Sequence, residues 1–315
     1  MIARLLDVFA TLVLPAYAIV ALGWGFARAP RIPPALLTTF RRLVFDLILP
    51  LYLFRTLASV QLPERFPITY VLGYYGATLA LYALVTALTW RRSGPGTANI
   101  QGLGGVYANA VLLGTPVITA ALGDAAALPL FALIGLHAPL LAFATGALAE
   151  IARPDTEASL APLLRNILLG LLRNPIILSI AGGLAWNLIQ GPLPEDWQSA
   201  TATASKLIPP LALVAMGIGL ADYGLRSAIA PAMGVCATKL VVHPLIVAVV
   251  LALLPGIPHL WWQTAVLMAA LPTGVNVYLF AAQQRAGEAV AAATVAIATP
   301  ASMLTLTAVL ALTIR

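Results

Sequence analysis

What this chain lacks decides its class. Charged residues fill only 9% of its 315 positions and hydrophobic residues fill 61%, against roughly 25% charged in soluble domains. A water-soluble fold of this length cannot hide so much apolar surface, so the chain reads as an integral membrane protein. Cysteine is nearly absent. Cys236 stands alone in an apolar run, which excludes an intrachain disulfide and a cysteine metal site and leaves a small packing residue. No HExxH, GxSxG or phosphate-loop pattern occurs, and two carboxylates never converge within one mid-membrane segment. Gly217-Ile-Gly219 is too little for a dinucleotide fingerprint. The chain is therefore not expected to be an enzyme, and neither a cofactor nor a metal site is expected. Long hydrophilic stretches are missing too. Only 151–167 resembles a hydrophilic loop of any size, so no appended domain supports a membrane sensor.

What is present is a run of ten apolar segments, at roughly 5–27, 36–60, 66–90, 102–122, 126–150, 168–190, 199–221, 228–254, 261–283 and 287–313. The first begins like a signal peptide after Arg4. It is too long for a signal core and contains Asp7 and Pro15, so it reads as a retained span. The basic residues orient the whole. Arg28, Arg31, Arg41, Arg42, Arg91, Arg92, Arg153, Arg165, Arg173, Arg226 and Arg285 fall at one set of segment ends. Only Arg4, Arg65 and Arg315 fall at the other, with Arg55, Lys206 and Lys239 inside segments. By the positive-inside rule the odd-numbered loops are cytoplasmic and both termini face outward, in a multi-pass inner-membrane protein. The net charge of +6 is thus topology, and no nucleic-acid partner is expected.

The two halves answer each other. Pro15 and Gly23 lie 160 residues before Pro175 and Gly183, Leu47–Leu53 lies 160 before Leu207–Leu213, and Gly114 lies 160 before Gly274. Five spans per half is an odd number, so the second half enters the membrane from the opposite side. The expected fold is an all-α membrane protein of ten transmembrane helices, built as two inverted five-helix repeats. The repeats occupy 1–150 and 168–315, with 151–167 as a short cytoplasmic linker, and the binding site lies near the midplane.

The pivotal stretches are Gly105–Gly123 (GVYANAVLLGTPVITAALG) and Leu267–Gln283 (LMAALPTGVNVYLFAAQ), the fourth and ninth spans. Both carry Gly, Pro, Thr and Asn in mid-segment. Gly costs about 1 kcal/mol in a helix interior and Pro about 3, and freed backbone at membrane depth is tolerated only against protein or a water-filled cavity. Such residues also make ordinary membrane-helix kinks, but the shared offset favours two broken helices that cross. The half-helices after the breaks are expected to begin at Thr115-Pro116 and near Val275-Asn276, turning free N–H groups and positive dipole ends on the crossing. Asn109 lies two turns before Pro116, and Thr273 and Asn276 flank Gly274. These amides and hydroxyls can bind a carboxylate without burying a charge. The candidate substrate-binding residues are Asn109, Gly114, Thr115, Pro116, Pro272, Thr273, Gly274 and Asn276.

At these residues the sequence resembles the auxin efflux carrier family. The matching motifs are Asn109–Gly114-x-Pro116, Pro272-x-Gly274-x-Asn276 followed by Ala281-x-Gln283, Leu49-Pro50, Asn174-Pro175, and Lys239 with His243-Pro244. The resemblance runs over essentially the whole chain. It implies a ten-span fold shared with bile-acid symporters and sodium/proton antiporters. Spans 1, 2, 6 and 7 would form a scaffold, spans 3–5 and 8–10 a mobile transport unit, often in a homodimer with elevator-type alternating access. The family name carries efflux. The long cytoplasmic loop of many plant members is missing, which sets auxin itself aside as substrate.

The remaining polar residues divide between packing and function. Arg42 and Asp46 have helical spacing and are expected to pair, with a coupling carboxylate as the alternative. Arg55 and Lys206 either snorkel at outer span ends or draw anions into an outer vestibule. His137 is a hydrogen-bonded packing residue or a proton relay. Lys239 sits about 16 Å from the cytoplasmic end of its span at 1.5 Å per residue, too deep to snorkel; it is a functional position by default or a lysine turned into the protein and hydrogen-bonded. Lys239, His243 and His137 are the candidate charge-coupling residues. A fixed Lys239 ammonium would neutralise the carbonyl ends of broken helices, where related symporters hold sodium. The expected function is sodium-independent secondary transport of a small organic anion, a carboxylate, with the lipid bilayer and a second copy as partners. The alternative is a sodium-coupled, bile-acid-type symporter, which would need acidic clusters that spans 4 and 9 lack.

Overall fold

A computed structural model describes residues 2–152, 160–223 and 228–313. Arg153, Arg226, Arg315 and residues 153–159 of the expected 151–167 linker lie outside the described residues. The architecture is helical, with no strand among the described residues beyond one bridging pair, Ala108 with Thr273. The helices are α1 (Ile2–Arg28), α2 (34–59), α3 (Ile68–Ser93), α4 (Pro95–Gly104), α5 (Ala110–Leu122), α6 (Asp124–Ile151), α7 (Leu160–Leu171), α8 (Pro175–Gln190), α9 (Glu195–Leu220), α10 (Ile229–Leu253), α11 (His259–Ala270), α12 (Asn276–Gln284) and α13 (Glu288–Thr313). Helices α1, α3, α6, α10 and α13 are each long and apolar enough to cross a bilayer unaided. Sequence segments four and nine are each met by two helices, α4 with α5 and α11 with α12. Segment four begins earlier than the hydropathy suggested, because Pro95 opens α4.

Proline shapes four of these helices in one way. A helical proline lacks an N–H, and its ring presses on the carbonyl four residues back. Pro15, Pro50, Pro116 and Pro244 each follow a π-helical turn, at Phe9–Val13, Val44–Ile48, Ala110–Gly114 and Thr238–Val242. Each turn contains the displaced carbonyl, so the helix widens by one residue per turn instead of breaking.

Helix α7 corrects the reading of 151–167 as plain linker, since the chain is helical again from Leu160. It meets α8 at 66°. The residue before a proline avoids the helical region, and Asn174 before Pro175 is extended, at φ −83° and ψ 113°. Leu163, Ile167 and Leu171 turn toward the protein, with Leu163 against Gly146 of α6.

Glycine sets two helix crossings. A Cβ on Gly23 of α1 would stand 2.2 Å from the Val214 carbonyl oxygen of α9. A Cβ on Gly183 of α8 would stand 2.5 Å from the Phe54 carbonyl oxygen of α2. Both members of the first contact lie 160 residues from their counterparts in the second. Close backbone approach of this kind replaces hydrophobic driving force where the surroundings are lipid. On the other side of the molecule, Tyr70 and Tyr75 of α3 donate to the carbonyls of Pro129 and Leu133 on α6, at 3.2 and 2.5 Å. Gly23→Leu is expected to lower stability by about 1–3 kcal/mol through overpacking, read by unfolding in detergent. Gly25→Leu, with nothing within 4 Å of its Cβ, serves as the control and is expected to leave stability nearly unchanged.

Candidate functional site

Between α4 and α5, and again between α11 and α12, the chain leaves the helix for five residues, 105–109 and 271–275. The two unwound segments run antiparallel and satisfy each other. Asn109 donates its backbone N–H to the Pro272 carbonyl at 2.9 Å, and Gly274 donates to the Tyr107 carbonyl at 3.0 Å. The Thr273 hydroxyl donates to the Gly104 carbonyl at 2.9 Å. His137 Nε2 of α6 accepts the Ala108 N–H at 2.9 Å. Gly274 permits the approach, since a Cβ there would stand 3.0 Å from both the Ala108 carbonyl oxygen and the Tyr107 ring.

This pairing places the first break upstream of where the prolines suggested. Helix α5 starts at Ala110 with Asn109 at its N-cap position, so Thr115-Pro116 does not open a half-helix. Gly114 is inside α5 against Leu271, and buried Thr115 bonds back to the Ala110 carbonyl at 3.4 Å. The π turn has absorbed the proline. The 160-residue match of Gly114 with Gly274 is therefore not a match of break with break. Helix α12 begins at Asn276 as expected.

A cavity of about 230 Å³ opens at this crossing. Its polar lining is Tyr107, Asn109, His137, Asn174 and Asn276, with the Gly274 backbone beside them, and no Asp, Glu, Lys or Arg among the described residues lines it. Asn276 Nδ2 donates to the Tyr107 hydroxyl at 2.9 Å. Asn109 is 6% exposed, and its Nδ2 has no partner. His137 is 3% exposed, and its Nδ1 has none either. Because Nε2 accepts, a neutral imidazole carries its proton on Nδ1. Among the described residues, two side chains of the lining thus carry buried donors with no partner, a costly arrangement. The starts of α5 and α12 add positive dipole ends, with Val277 and Tyr278 of α12 already donating to the Gly274 and Val275 carbonyls at 3.1 Å.

Asn174 is the residue that sequence reasoning missed as a site member. Its Oδ1 caps α8, accepting from Ile176 N at 2.9 Å and Ile177 N at 3.3 Å, and the residue lines the cavity. The Asn-Pro pair announces a capped helix, but only the fold brings that helix start to the crossing.

Lys239 is fully buried inside the π turn of α10. Its Nζ donates to the Ala269 carbonyl at 2.5 Å, at the C-terminal end of α11, and lies 3.4 Å from His243 Nδ1. His243 Nε2 meets Thr78 Oγ1 at 3.1 Å, and Thr78 donates to the Tyr74 carbonyl at 2.7 Å. Three of the eight expected substrate residues, Asn109, Gly274 and Asn276, meet at the cavity together with His137. Pro272 and Thr273 tie the unwound segments, while Lys239 and His243 stand behind the end of α11. Pro116 lines a second, larger cavity of about 990 Å³ with Tyr52, Arg55, Thr119, Asp124 and Lys206. The expected Arg42–Asp46 pair is absent. Arg41, one residue earlier, instead pairs with Asp222 at 2.8 Å, joining α2 to the end of α9.

Two broken helices thus pair around a polar cavity, and residues 8–310 match the family model described as Membrane transport protein. The chain belongs to this family, that of the auxin efflux carriers, and it is a transporter, not an enzyme. It is 30% identical over 301 residues to a Rhizobium meliloti (strain 1021) protein named "Putative malonate transporter", covering 95% of this chain and 94% of that protein.

Proposed function

We propose that this chain is a secondary transporter that moves a small organic anion, a carboxylate, seated at the crossing. The observation that carries this reading is the pair of buried, partnerless donors, Asn109 Nδ2 and His137 Nδ1, beside two helix starts. A carboxylate completes such donors. The cavity, about 230 Å³, lies below the roughly 300 Å³ at which drug-sized pockets begin. That favours an anion of a few carbons over an indole-bearing one. The name of the Rhizobium relative suggests a short dicarboxylate such as malonate.

The mechanism we favour is alternating access by elevator-type movement. Ten spans would form two inverted repeats, with scaffold spans 1, 2, 6 and 7 and a transport unit of spans 3–5 and 8–10. The Gly23–Val214 and Gly183–Phe54 contacts, related by one offset, support the repeat. Two cavities touching one helix support two-sided access. Leu112 of α5 lines the smaller and Pro116 the larger, about 6 Å apart along the axis. The arginine distribution puts both termini outside a cytoplasmic membrane. A homodimer through the scaffold follows from the family reading. Mass measurement in detergent is expected to give a dimer, and a monomer at every workable concentration would remove that part.

Asn109→Ala and Asn276→Ala are each expected to weaken carboxylate binding by about 1–3 kcal/mol, the scale of a hydrogen bond to a charged group. Titration of the purified protein with a carboxylate panel, followed by flux in proteoliposomes, reads this directly. Parental behaviour in both variants would place the seat elsewhere.

Lys239 makes the transport sodium-independent in this reading. Its Nζ occupies the Ala269 carbonyl, where a bound cation would otherwise offset the negative end of α11. Lys239→Ala is expected to lose flux and Lys239→Arg to keep part of it. Strict sodium dependence in the parent, or full flux in Lys239→Ala, would overturn the assignment.

A further inference from the structure

The larger cavity is not used by the crossing. It holds about 990 Å³ between the 59–63 turn, the far half of α5 and helix α9, on the side that the arginine distribution marks as outer. Among the described residues, three charged side chains line it: Arg55, Lys206 and Asp124. Arg55 is braced, its Nη2 donating to the Gln198 carbonyl at 2.8 Å and its Nε to the Thr201 hydroxyl. Two of the five guanidinium N–H donors are engaged in this way, and the other three are left for a ligand. Lys206 is exposed, with no partner among the described residues. Two cations against one carboxylate give the cavity a net positive charge, and its low-dielectric walls concentrate that field.

We propose that this cavity is a second, weaker carboxylate site ahead of the crossing. The inference rests on the reading above only for the choice of anion. Arg55 supplies a planar, pre-positioned fork that matches a carboxylate, and Lys206 supplies a mobile point charge. Asp124 opposes them, so the anion is held loosely. The floor is Pro116 and Thr119 of α5 with Tyr52, and the crossing cavity begins about 6 Å farther along the same helix. An anion collected at Pro116 is about two helical turns from Asn109 of the transport seat. Bracing by α9 explains why an arginine, and not a freely snorkelling chain, stands at position 55.

The test is calorimetric titration of the whole purified chain with potassium malonate. The parent is expected to show two binding phases. Lys206→Glu, at a side chain with no partner to lose, removes the weaker phase and leaves the tighter, and Arg55→Gln does the same. Asn109→Ala does the reverse. The weaker phase also falls several-fold between about 0.05 and about 0.5 M potassium chloride, because exposed charges are screened over that range. A single phase in the parent, or a weak phase that survives Lys206→Glu, overturns the second site. Survival of the tight phase in Asn109→Ala with the weak phase behaving as described would sink the crossing seat alone and leave the outer site standing.

Discussion

Backbone at membrane depth must find its hydrogen bonds inside the protein, and the rest of this structure depends on how two broken helices meet that demand. Each break frees several N–H and C=O groups that neither helix can recover alone. Set antiparallel, 105–109 and 271–275 exchange bonds through Asn109, Tyr107, Pro272 and Gly274, and Thr273 closes onto Gly104. His137 takes the Ala108 N–H from a third helix. Neither break is stable without the other, so two stretches some 165 residues apart in sequence become one structural unit. That mutual dependence forces the polar cavity to sit where four helix ends converge.

Around the crossing, the packing separates a rigid part from a polar one. Helices α1 with α9 and α2 with α8 approach through Gly23 and Gly183 until a Cβ would strike carbonyl oxygen. Bare backbone contact of that kind leaves little room for side chains to slide. The α3–α6 contact relies instead on tyrosine hydroxyls reaching carbonyls. Lys239 and His243 lie within this second region, linking α10 to the end of α11 and, through Thr78, to α3. The chain from Thr78 to Ala269 braces one end of the break from behind, on the side away from the cavity lining.

Much of this was legible in the sequence, and the failures have physical reasons. Asn109 and Asn276 were found because polar amides beside Gly and Pro in an apolar span have few other uses. The depth of Lys239 followed from counting residues, whereas its carbonyl partner on α11 required the fold. The first break was placed too late because Pro116 was taken as a helix start. A proline can also be absorbed by a π turn, and nothing local in the sequence distinguishes the two outcomes. Arg42 and Asp46 have the right spacing for a pair, but the π turn at Val44–Ile48 shifts that spacing, and the arginine one residue earlier finds Asp222 instead. Helix α7 escaped because Arg165 and Asn166 made its stretch look like loop, although Leu163, Ile167 and Leu171 carry helical periodicity.

The cavity's neutrality is the feature that a carrier most needs. A buried arginine at the seat would bind a carboxylate strongly, but it would be left as an uncompensated charge whenever the anion departed, a state that costs several kcal/mol. Amides, an imidazole N–H and helix starts lose far less when empty, of the order of 1–3 kcal/mol per unsatisfied donor. They also hold the anion less tightly, which release on the far side requires. Charge is placed instead where solvent reaches it, on Arg55 and Lys206, or where a carbonyl already engages it, at Lys239. Selectivity among anions then falls to geometry, since neutral donors reward only an acceptor that reaches several of them at once. Under the proposed function, a cavity of about 230 Å³ then favours a small carboxylate over a larger ring system.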